Sequence, residues 1–306
     1  MRIFVTGASG FLGSYLVDEL VRHGHEVAVL LRPDSSDPWR LSGIQEDIVR
    51  VSGTLNAISD LRGALERFKP EAVAHLAWRG VGNRDRNSSK QVRNIVDAAE
   101  LVEVAADVGA SVFVGAGSQA EYGPIDRAIR TDDETRPTTL YGKAKLAAGD
   151  IAGQIAENRG MRFAWVRIFS TYGPKDSENW LIPSAILTMR RGEHMSLTKC
   201  EQKWGFLHAR DAAVAFRLVL TSPSAAGFFN LGNPHAPLLR DTLFRLRELV
   251  NPGASLGFGD IPYRSDQVMV LQADTSRLSD LGWSVGVSLD DGLRETVSWY
   301  VNSQRS

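Results

Sequence analysis

The most chemically informative residues of this chain lie in the run Tyr141-Gly142-Lys143-Ala144-Lys145. Tyr141 and Lys145 are four residues apart, so on a helix they share one face, whereas Lys143 points away. An ammonium near a phenol favours the phenolate and lowers a pKa that is about 10 when unperturbed. The pair therefore predicts a proton donor and acceptor for a carbonyl or alcohol, although taken alone it fits an ordinary surface helix better.

Ser118 is the second candidate, in the run Gly117-Ser118-Gln119-Ala120-Glu121-Tyr122-Gly123. It follows a predicted strand, and ligands of parallel sheets bind at the carboxyl ends of the strands. A hydroxyl in that place can hydrogen-bond the reacting oxygen beside Tyr141. We therefore predict Ser118, Tyr141 and Lys145 as the catalytic residues.

A glycine-rich turn opens the chain, where the strand at 2–5 runs into Thr6-Gly7-Ala8-Ser9-Gly10-Phe11-Leu12-Gly13. The first glycine permits a tight turn, the second lets a pyrophosphate approach the backbone, and the third allows close helix–sheet packing. The N-terminus of the following helix favours the anion. The spacing is G-x-x-G-x-x-G, and it predicts cofactor contacts from Gly7, Gly10, Phe11, Leu12 and Gly13.

The elements that position these residues alternate along the first half of the chain. Strands are predicted at 2–5, 26–31, 72–77, 111–115 and 161–168, and helices at 11–23, 59–68, 94–108 and 141–158. This alternation predicts an α/β fold with a doubly wound parallel sheet. After Pro174 the pattern breaks, with further helices near 274–282 and 290–301. We predict a nucleotide-binding domain at 1–173 and a smaller substrate-binding lobe at 174–306, some segments of which return to the first domain.

Composition excludes several classes of protein. The 306 residues carry a net charge of −1, which gives no electrostatic case for binding nucleic acid or an anionic membrane. No apolar run approaches the ~18 residues of a membrane span, and the single cysteine fits a reducing compartment. Without a signal peptide before the first strand, a cytoplasmic location is expected. The histidines show no metal-ligand spacing, so no metal is expected.

Downstream motifs, taken in order, resemble the short-chain dehydrogenase/reductase superfamily, in its extended branch of nucleotide-sugar epimerases, dehydratases and ketoreductases. The resemblance covers nearly the whole chain and implies a Rossmann-type domain. The matching motifs are Thr6–Gly13, His75-Leu76-Ala77, Asn94, Ser118–Gly123, Tyr141–Lys145, Arg167, Tyr172-Gly173-Pro174, Phe206-Leu207-His208 with Asp211, and Leu281-Gly282-Trp283.

The resemblance also implies roles and partners. Lys145 would hold the nicotinamide ribose, and Leu76 and Ala77 would line the cofactor site. The substrate would be a nucleotide-diphosphate sugar and the assembly a homodimer formed by the helices at 94–108 and 141–158. Candidate substrate-binding residues are Ser118, Glu121, Asn179, Trp204 and Arg264. An exposed turn position fits Glu121 about as well, and a surface ion pair fits Arg264 about as well. For Trp204, packing within the lobe is favoured over stacking on a base.

The end of the second strand bears on the choice of cofactor. NAD enzymes usually place an acid there for the ribose diol, but this chain has Leu31 followed by Arg32. Arginine suits a 2′-phosphate, so NADP(H) is favoured, with NAD(H) as the alternative. Where relatives usually have Gly-Asp-Leu against adenine, this chain has Gly53-Thr54-Leu55.

The residues after Ser118 bear on the reaction. Related 4,6-dehydratases carry an acidic pair where this chain has Gln119 and Ala120, which disfavours dehydration. The stretch resembles nucleotide-diphosphate 4-keto-6-deoxysugar reductases, such as those making abequose or paratose. The sequence thus favours NADP(H)-dependent reduction of such a sugar. The alternatives are an NAD-dependent nucleotide-sugar 4-epimerase and, from another class, a non-catalytic nucleotide-binding regulator.

Overall fold

The computed structural model describes residues 1–33, 38–264 and 267–302. In chain order its strands are β1 (Arg2–Thr6), β2 (Glu26–Leu31), β3 (Ile48–Ser52), β4 (Ala72–His75), β5 (Val112–Ser118), β6 (Arg162–Ile168), β7 (Ser170–Tyr172), β8 (Met195–Leu197), β9 (Lys203–Trp204), β10 (Phe206–His208), β11 (Gly227–Leu231), β12 (Leu256–Phe258) and β13 (Val270–Leu271). Its α-helices are α1 (Phe11–Arg22), α2 (Arg62–Phe68), α3 (Gln91–Asp107), α4 (Leu140–Asn158), α5 (Leu181–Arg190), α6 (Ala209–Thr221), α7 (Leu239–Val250), α8 (Ser276–Ser279) and α9 (Leu289–Asn302).

The central layer is a seven-stranded sheet in the order β11-β6-β5-β4-β1-β2-β3, with every pairing parallel. Successive side chains of a strand point to opposite faces. Ile3 and Val5 accordingly pack against α1 and α6, whereas Phe4 packs on the side of α2, α3 and part of α4. Both faces of the sheet are covered, which confirms the predicted doubly wound α/β architecture.

The C-terminal part contributes to two cores. A separate core joins α5, α7 and α9, with Ile186, Leu243 and Leu293 fully buried. In contrast, β11 extends the central sheet and α6 packs against α1. Residues after 174 therefore also contribute to the central sheet and to the helices that cover it. The division into domains at 1–173 and 174–306 stays a prediction.

Several elements were not predicted from the sequence or differ from their predicted length. In β3 only Ile48 and Val51 are buried, since it lies at the sheet edge, and such a short pattern carries little signal. Helix α6 was not predicted, and Arg217 interrupts its apolar residues. That arginine donates to Glu19 on α1 at 2.7 Å, so its charge sits between the two packed helices. The helix predicted at 274–282 is a single turn, α8.

Candidate active site

A cavity of about 1030 Å³ opens at the carboxyl ends of β1, β4 and β5 and extends under the C-terminal lobe. The wall brings together most of the site residues predicted from the sequence. Those that line it are Gly7, Gly10, Phe11, Leu12, Gly13, Arg32, Leu76, Ala77, Ser118, Tyr141, Lys145, Trp204 and Arg264. Residues more than 250 positions apart in the chain thus share one cavity.

The glycine turn packs too tightly for side chains. Gly7 has φ +76°, and a Cβ there would lie 2.6 Å from the nitrogen of Ala77. At Gly13 a Cβ would lie 2.0 Å from the carbonyl oxygen of Gly7. Helix α1 begins directly afterwards, and no side chain caps it at Gly10. The backbone N–H groups of its first turn are therefore available to an anion, which fits the pyrophosphate of a dinucleotide.

Tyr141 lies in the first turn of α4. Thr139 caps this helix, its hydroxyl accepting from the Gly142 N–H at 3.1 Å. Gly142 itself is required, because a Cβ there would lie 2.3 Å from the Ala120 oxygen. The phenol is buried, with 8% of Tyr141 exposed. Burial raises its pKa above 10, and the hydrogen bond with Ser118 lowers it in part.

The ammonium of Lys145 is hydrogen-bonded to the backbone. Its Nζ donates to the Ala116 carbonyl at 2.6 Å, lies 3.6 Å above the Trp78 ring, and is 6.0 Å from the Tyr141 ring centre. Burial lowers the pKa of Lys145 to about 7, and the charge of Glu121 opposes that shift. The expectation that Lys145 lowers the pKa of Tyr141 is therefore wrong for this geometry, because the ammonium is bound elsewhere and burial of the phenol dominates.

Ser118 is held by a short 3₁₀ turn, Gln119–Glu121. Its Oγ accepts from the Ala120 N–H at 3.2 Å, and its hydroxyl is hydrogen-bonded with the Tyr141 phenol. In return, Glu121 Oε1 accepts from the Ser118 N–H at 2.8 Å, completing a capping box. Backbone and side chain together hold Ser118 beside Tyr141.

Glu121 lies behind the cavity wall, fully buried. Its Oε1 also accepts from Trp165 Nε1 at 3.0 Å, and its Oε2 pairs with Arg167 Nε at 2.7 Å. Because both oxygens are engaged, this placement does not support the predicted substrate contact, and Glu121 instead supports Ser118. The spacing Ser118-x-x-Glu121 is a capping-box pattern, which was the sequence signal for this role.

The remaining substrate candidates divide between wall and surface. Trp204 lines the cavity and donates through Nε1 to Ser170 Oγ at 2.9 Å. Arg264 lines it from an exposed position. Asn179 is exposed in the loop before α5 and is not part of the wall, which Trp180 and Leu181 form beside it. The predicted contact of Asn179 with the diphosphate is thus not supported by its position.

The cavity wall also includes residues that were not predicted as site residues, among them Trp78, Arg86 and Asp176. Trp78 follows the His75-Leu76-Ala77 motif, Arg86 lies in the loop before α3, and Asp176 lies in the loop after β7. The position of Trp78 just beyond the end of a predicted strand could have indicated that it lies at the ligand site. Arg86 and Asp176 had no such signal, since loops bring them to the cavity. Within the described ranges no group of three or more His, Cys, Asp or Glu could hold a metal ion.

A family model described as the NAD dependent epimerase/dehydratase family matches residues 3–232, a span that includes the glycine turn, Ser118, Tyr141 and Lys145. The chain belongs to this family. As a member of the NAD dependent epimerase/dehydratase family it is an enzyme of the nucleotide-sugar epimerase/dehydratase type that works with a nicotinamide cofactor, and the recognition made from its motifs is confirmed.

Similar proteins span almost the entire chain. CDP-abequose synthase of Salmonella muenchen is 23% identical over 97% of each chain. UDP-glucose 4-epimerase of Thermotoga maritima, solved with UDP-glucose, matches at TM-score 0.88 and 22% identity over 99% of this chain and 100% of that one. MoeE5, solved with UDP-glucuronic acid and NAD, matches at TM-score 0.86 and 27% identity over 99% and 100%. The Rossmann-type fold is confirmed.

Among the described residues, none of the helices has the length and apolar character needed to cross a bilayer. The cytoplasmic location stays a prediction.

Proposed function

We propose that this enzyme uses NADPH to reduce a nucleotide-diphosphate 4-keto-6-deoxy sugar. The observation that carries the proposal is the wall around Ser118. Gln119 and Ala120 line the cavity where a dehydratase needs acids, and the nearest carboxylate, Glu121, is buried and engaged. Among the lining residues that the structure describes, Asp176 is the sole carboxylate, and it lies beyond β7, on the loop that Arg40 contacts.

The cofactor fits the wall from the glycine turn to Lys145. Gly10 would leave room for the pyrophosphate within the tight turn that Gly7 and Gly13 permit, and Lys145 would hold the nicotinamide ribose. Arg32 directly follows β2, lines the cavity and would engage the 2′-phosphate that distinguishes NADPH from NADH. When bound, NADPH supplies the hydride.

The protein's own chemistry is proton transfer. Tyr141 would give its phenolic proton to the carbonyl oxygen of the sugar, and Ser118 would donate a hydrogen bond to the same oxygen. Burial of the pair excludes water, which strengthens both interactions. On the lobe side, Trp204 and Arg264 would contact the nucleotide diphosphate, the arginine by charge-assisted hydrogen bonds.

Product analysis tests the reaction. Purified enzyme should consume one NADPH for each nucleotide-linked 4-keto-6-deoxy sugar that it reduces, and it should eliminate no water from a nucleotide hexose. Absorbance follows the NADPH, and mass spectrometry and NMR identify the sugar products. Tyr141→Phe serves as the inactive control. Formation of sugar epimers without added NADPH would refute the reductase and favour the nucleotide-sugar 4-epimerase.

Cofactor choice is tested separately. Titrating NADPH and NADH into wild type and Arg32→Ala should show a preference for NADPH that the substitution removes, since a charge-assisted contact contributes about 1.5–3 kcal/mol. Arg22→Ala, an exposed arginine on α1, is the matched control. Equal affinities in wild type would refute the NADP assignment.

The 4-epimerase remains the second candidate because MoeE5 was solved with NAD, and the UDP-glucose 4-epimerase shares the fold. Purified enzyme carrying tightly bound NAD⁺ would favour it. A regulator that binds nucleotide without turnover has no use for the Ser118–Tyr141 pair.

We also propose a homodimer through α3 and α4, which expose Val92, Val96 and Ile151. Light scattering of the purified protein measures the mass of the assembly, which should be twice that of one chain.

A further inference from the structure

Arg86 is a cation at the catalytic end of the cavity that the proposed function does not use. It lies in the loop between β4 and α3 and lines the cavity. Its carbonyl oxygen accepts from the Tyr141 N–H at 2.8 Å, so this loop is tied to the first turn of α4. Its guanidinium carbon lies 5.7 Å from the centre of the Tyr141 ring, within the range of a cation–π contact.

Its guanidinium has few protein partners. The Nε atom of Arg86 is buried and makes no hydrogen bond, and within the described residues no carboxylate forms an ion pair with it. Arg167, the buried arginine behind the wall, is in contrast paired with Glu121. A guanidinium stays charged at every physiological pH. Arg86 therefore presents an uncompensated positive charge to the ring of Tyr141.

The other groups around Tyr141 leave this charge unopposed. From β5, Ser118 contributes a neutral hydroxyl. On α4 itself, Lys145 is bound to the Ala116 carbonyl. From the 3₁₀ turn, the negative charge of Glu121 raises the Tyr141 pKa, but that carboxylate is neutralised by Arg167. On β4, burial lowers the pKa of His75 to about 3, so it carries no charge at neutral pH.

We propose that Arg86 is a charge partner of Tyr141, a second cation beside Lys145 that stabilises the tyrosinate form and so helps to set the pH range in which the tyrosine exchanges protons. The role is one of positioning charge, because Arg86 acts through Tyr141. The electrostatic effect has the required sign, since the positive charge of Arg86 lowers the Tyr141 pKa against burial. The role of Arg86 in catalysis rests on the proposed function, but its effect on the ionisation of Tyr141 does not.

Ultraviolet difference titration measures that ionisation without substrate or cofactor. Tyrosinate absorbance of wild type minus that of Tyr141→Phe isolates Tyr141. Arg86→Gln should move the midpoint of this titration up by about one pH unit, the scale of a nearby opposite charge. Arg86→Lys, which keeps the charge, should restore part of the shift. Arg84→Gln, an exposed arginine two residues earlier that does not line the cavity, should leave it unchanged.

The comparison of Arg86→Gln must be made on folded protein, followed by circular dichroism over the same pH range. If that variant unfolds, Arg86→Met keeps the apolar stem on the Tyr141 ring and gives the same reading. An unchanged Tyr141 midpoint in the folded, uncharged variant would overturn the proposal.

Turnover supplies the second readout. In the Arg86→Gln enzyme, the pH dependence of kcat should shift upward with the spectroscopic midpoint. A raised KM with an unshifted pH profile would instead make Arg86 a substrate contact and overturn the proposal. Because the titration uses no sugar, it tests the role of Arg86 even if the enzyme does not reduce the keto sugar with NADPH. An unchanged Tyr141 midpoint, in turn, would leave the reductase proposal unaffected.

Discussion

Ser118, Tyr141 and Lys145 line one cavity, and their electrostatics differ from those of an isolated tyrosine–lysine pair. The Ser118 hydroxyl contacts the phenol, while Lys145 is bound between the Ala116 carbonyl and the Trp78 ring. Burial lowers the pKa of this lysine to about 7, so roughly half of it is protonated at pH 7. The tyrosine therefore depends in part on other groups for stabilisation of its anion.

Replacing Tyr141 by phenylalanine removes the transferable proton and keeps the ring. Turnover should fall by a factor of roughly 10²–10⁴, the usual scale of general acid–base catalysis, while cofactor affinity changes little. Steady-state kinetics and a cofactor titration measure the two effects. Tyr15→Phe is the control, since that hydroxyl donates to the Pro174 carbonyl outside the cavity. Near-normal turnover of Tyr141→Phe would rule out the proposed donor.

Lys145 should make stability depend on pH. Its pKa is about 7 when folded and 10.5 when unfolded, so between these values the unfolded chain binds more protons. The free energy of unfolding should therefore rise, through this group, as pH increases from about 7 towards 10. Lys145→Met should remove that rise, measured by urea denaturation at pH 7 and pH 9. The same slope in both proteins would show that the lysine is not buried as described.

At the scale of elements, the glycine turn and α1 form one unit. The Gly10 N–H donates to the Gly7 carbonyl at 3.0 Å, and the first turn of α1 packs against that same carbonyl. A turn this tight places backbone donors at the cavity without side chains in between.

Gly13→Ala should disrupt this unit, because its Cβ would lie 2.0 Å from the Gly7 oxygen. We expect the free energy of unfolding to fall by about 1–3 kcal/mol, as for overpacked sites, and cofactor affinity to fall with it. Gly63→Ala on α2 is the matched control, since its Cβ would meet only the end of the Arg67 side chain at 3.8 Å. It should be stabilising by about 0.4–1 kcal/mol. Denaturation curves of the two variants make the comparison, and equal stabilities would contradict it.

At the scale of the whole molecule, the loop after β7 joins the nucleotide-binding layer to the C-terminal helix. Tyr300 donates to the Asp176 carbonyl at 2.6 Å, and Arg40 Nε donates to the Lys175 carbonyl at 2.8 Å. Beside them the rings of Trp39 and Trp299 stack at 6.0 Å. The Asp176 side chain is buried in this junction and lines the cavity.

Asp176 should couple this junction to pH. Burial raises its pKa from 3.8 to about 7, so the folded protein keeps a proton that the unfolded chain releases. The resulting stabilisation is complete below about pH 4 and is lost as pH rises through 7. Asp176→Asn should therefore be less sensitive to pH between 5 and 8, measured by urea denaturation. Parallel curves for the two proteins would refute the assigned burial.

Local pattern predicted those parts of the protein that neighbouring residues determine. Apolar residues at the helical period predicted α1, and short apolar runs predicted β1, β2 and β4. The glycine spacing predicted the turn, and the four-residue step predicted the shared face of Tyr141 and Lys145. These features depend on contacts within a few residues, which sequence periodicity records.

Tertiary structure decided the charge state of the site. Glu121 is buried because Arg167 and Trp165, on the neighbouring strand, engage its oxygens. Lys145 is held by a carbonyl 29 residues away, and Arg86 reaches the Tyr141 ring through a loop that follows a different strand. A pKa depends on burial and on every nearby charge. The sequence by itself therefore determined which groups are present, and the fold determined which of them carry charge and face one another.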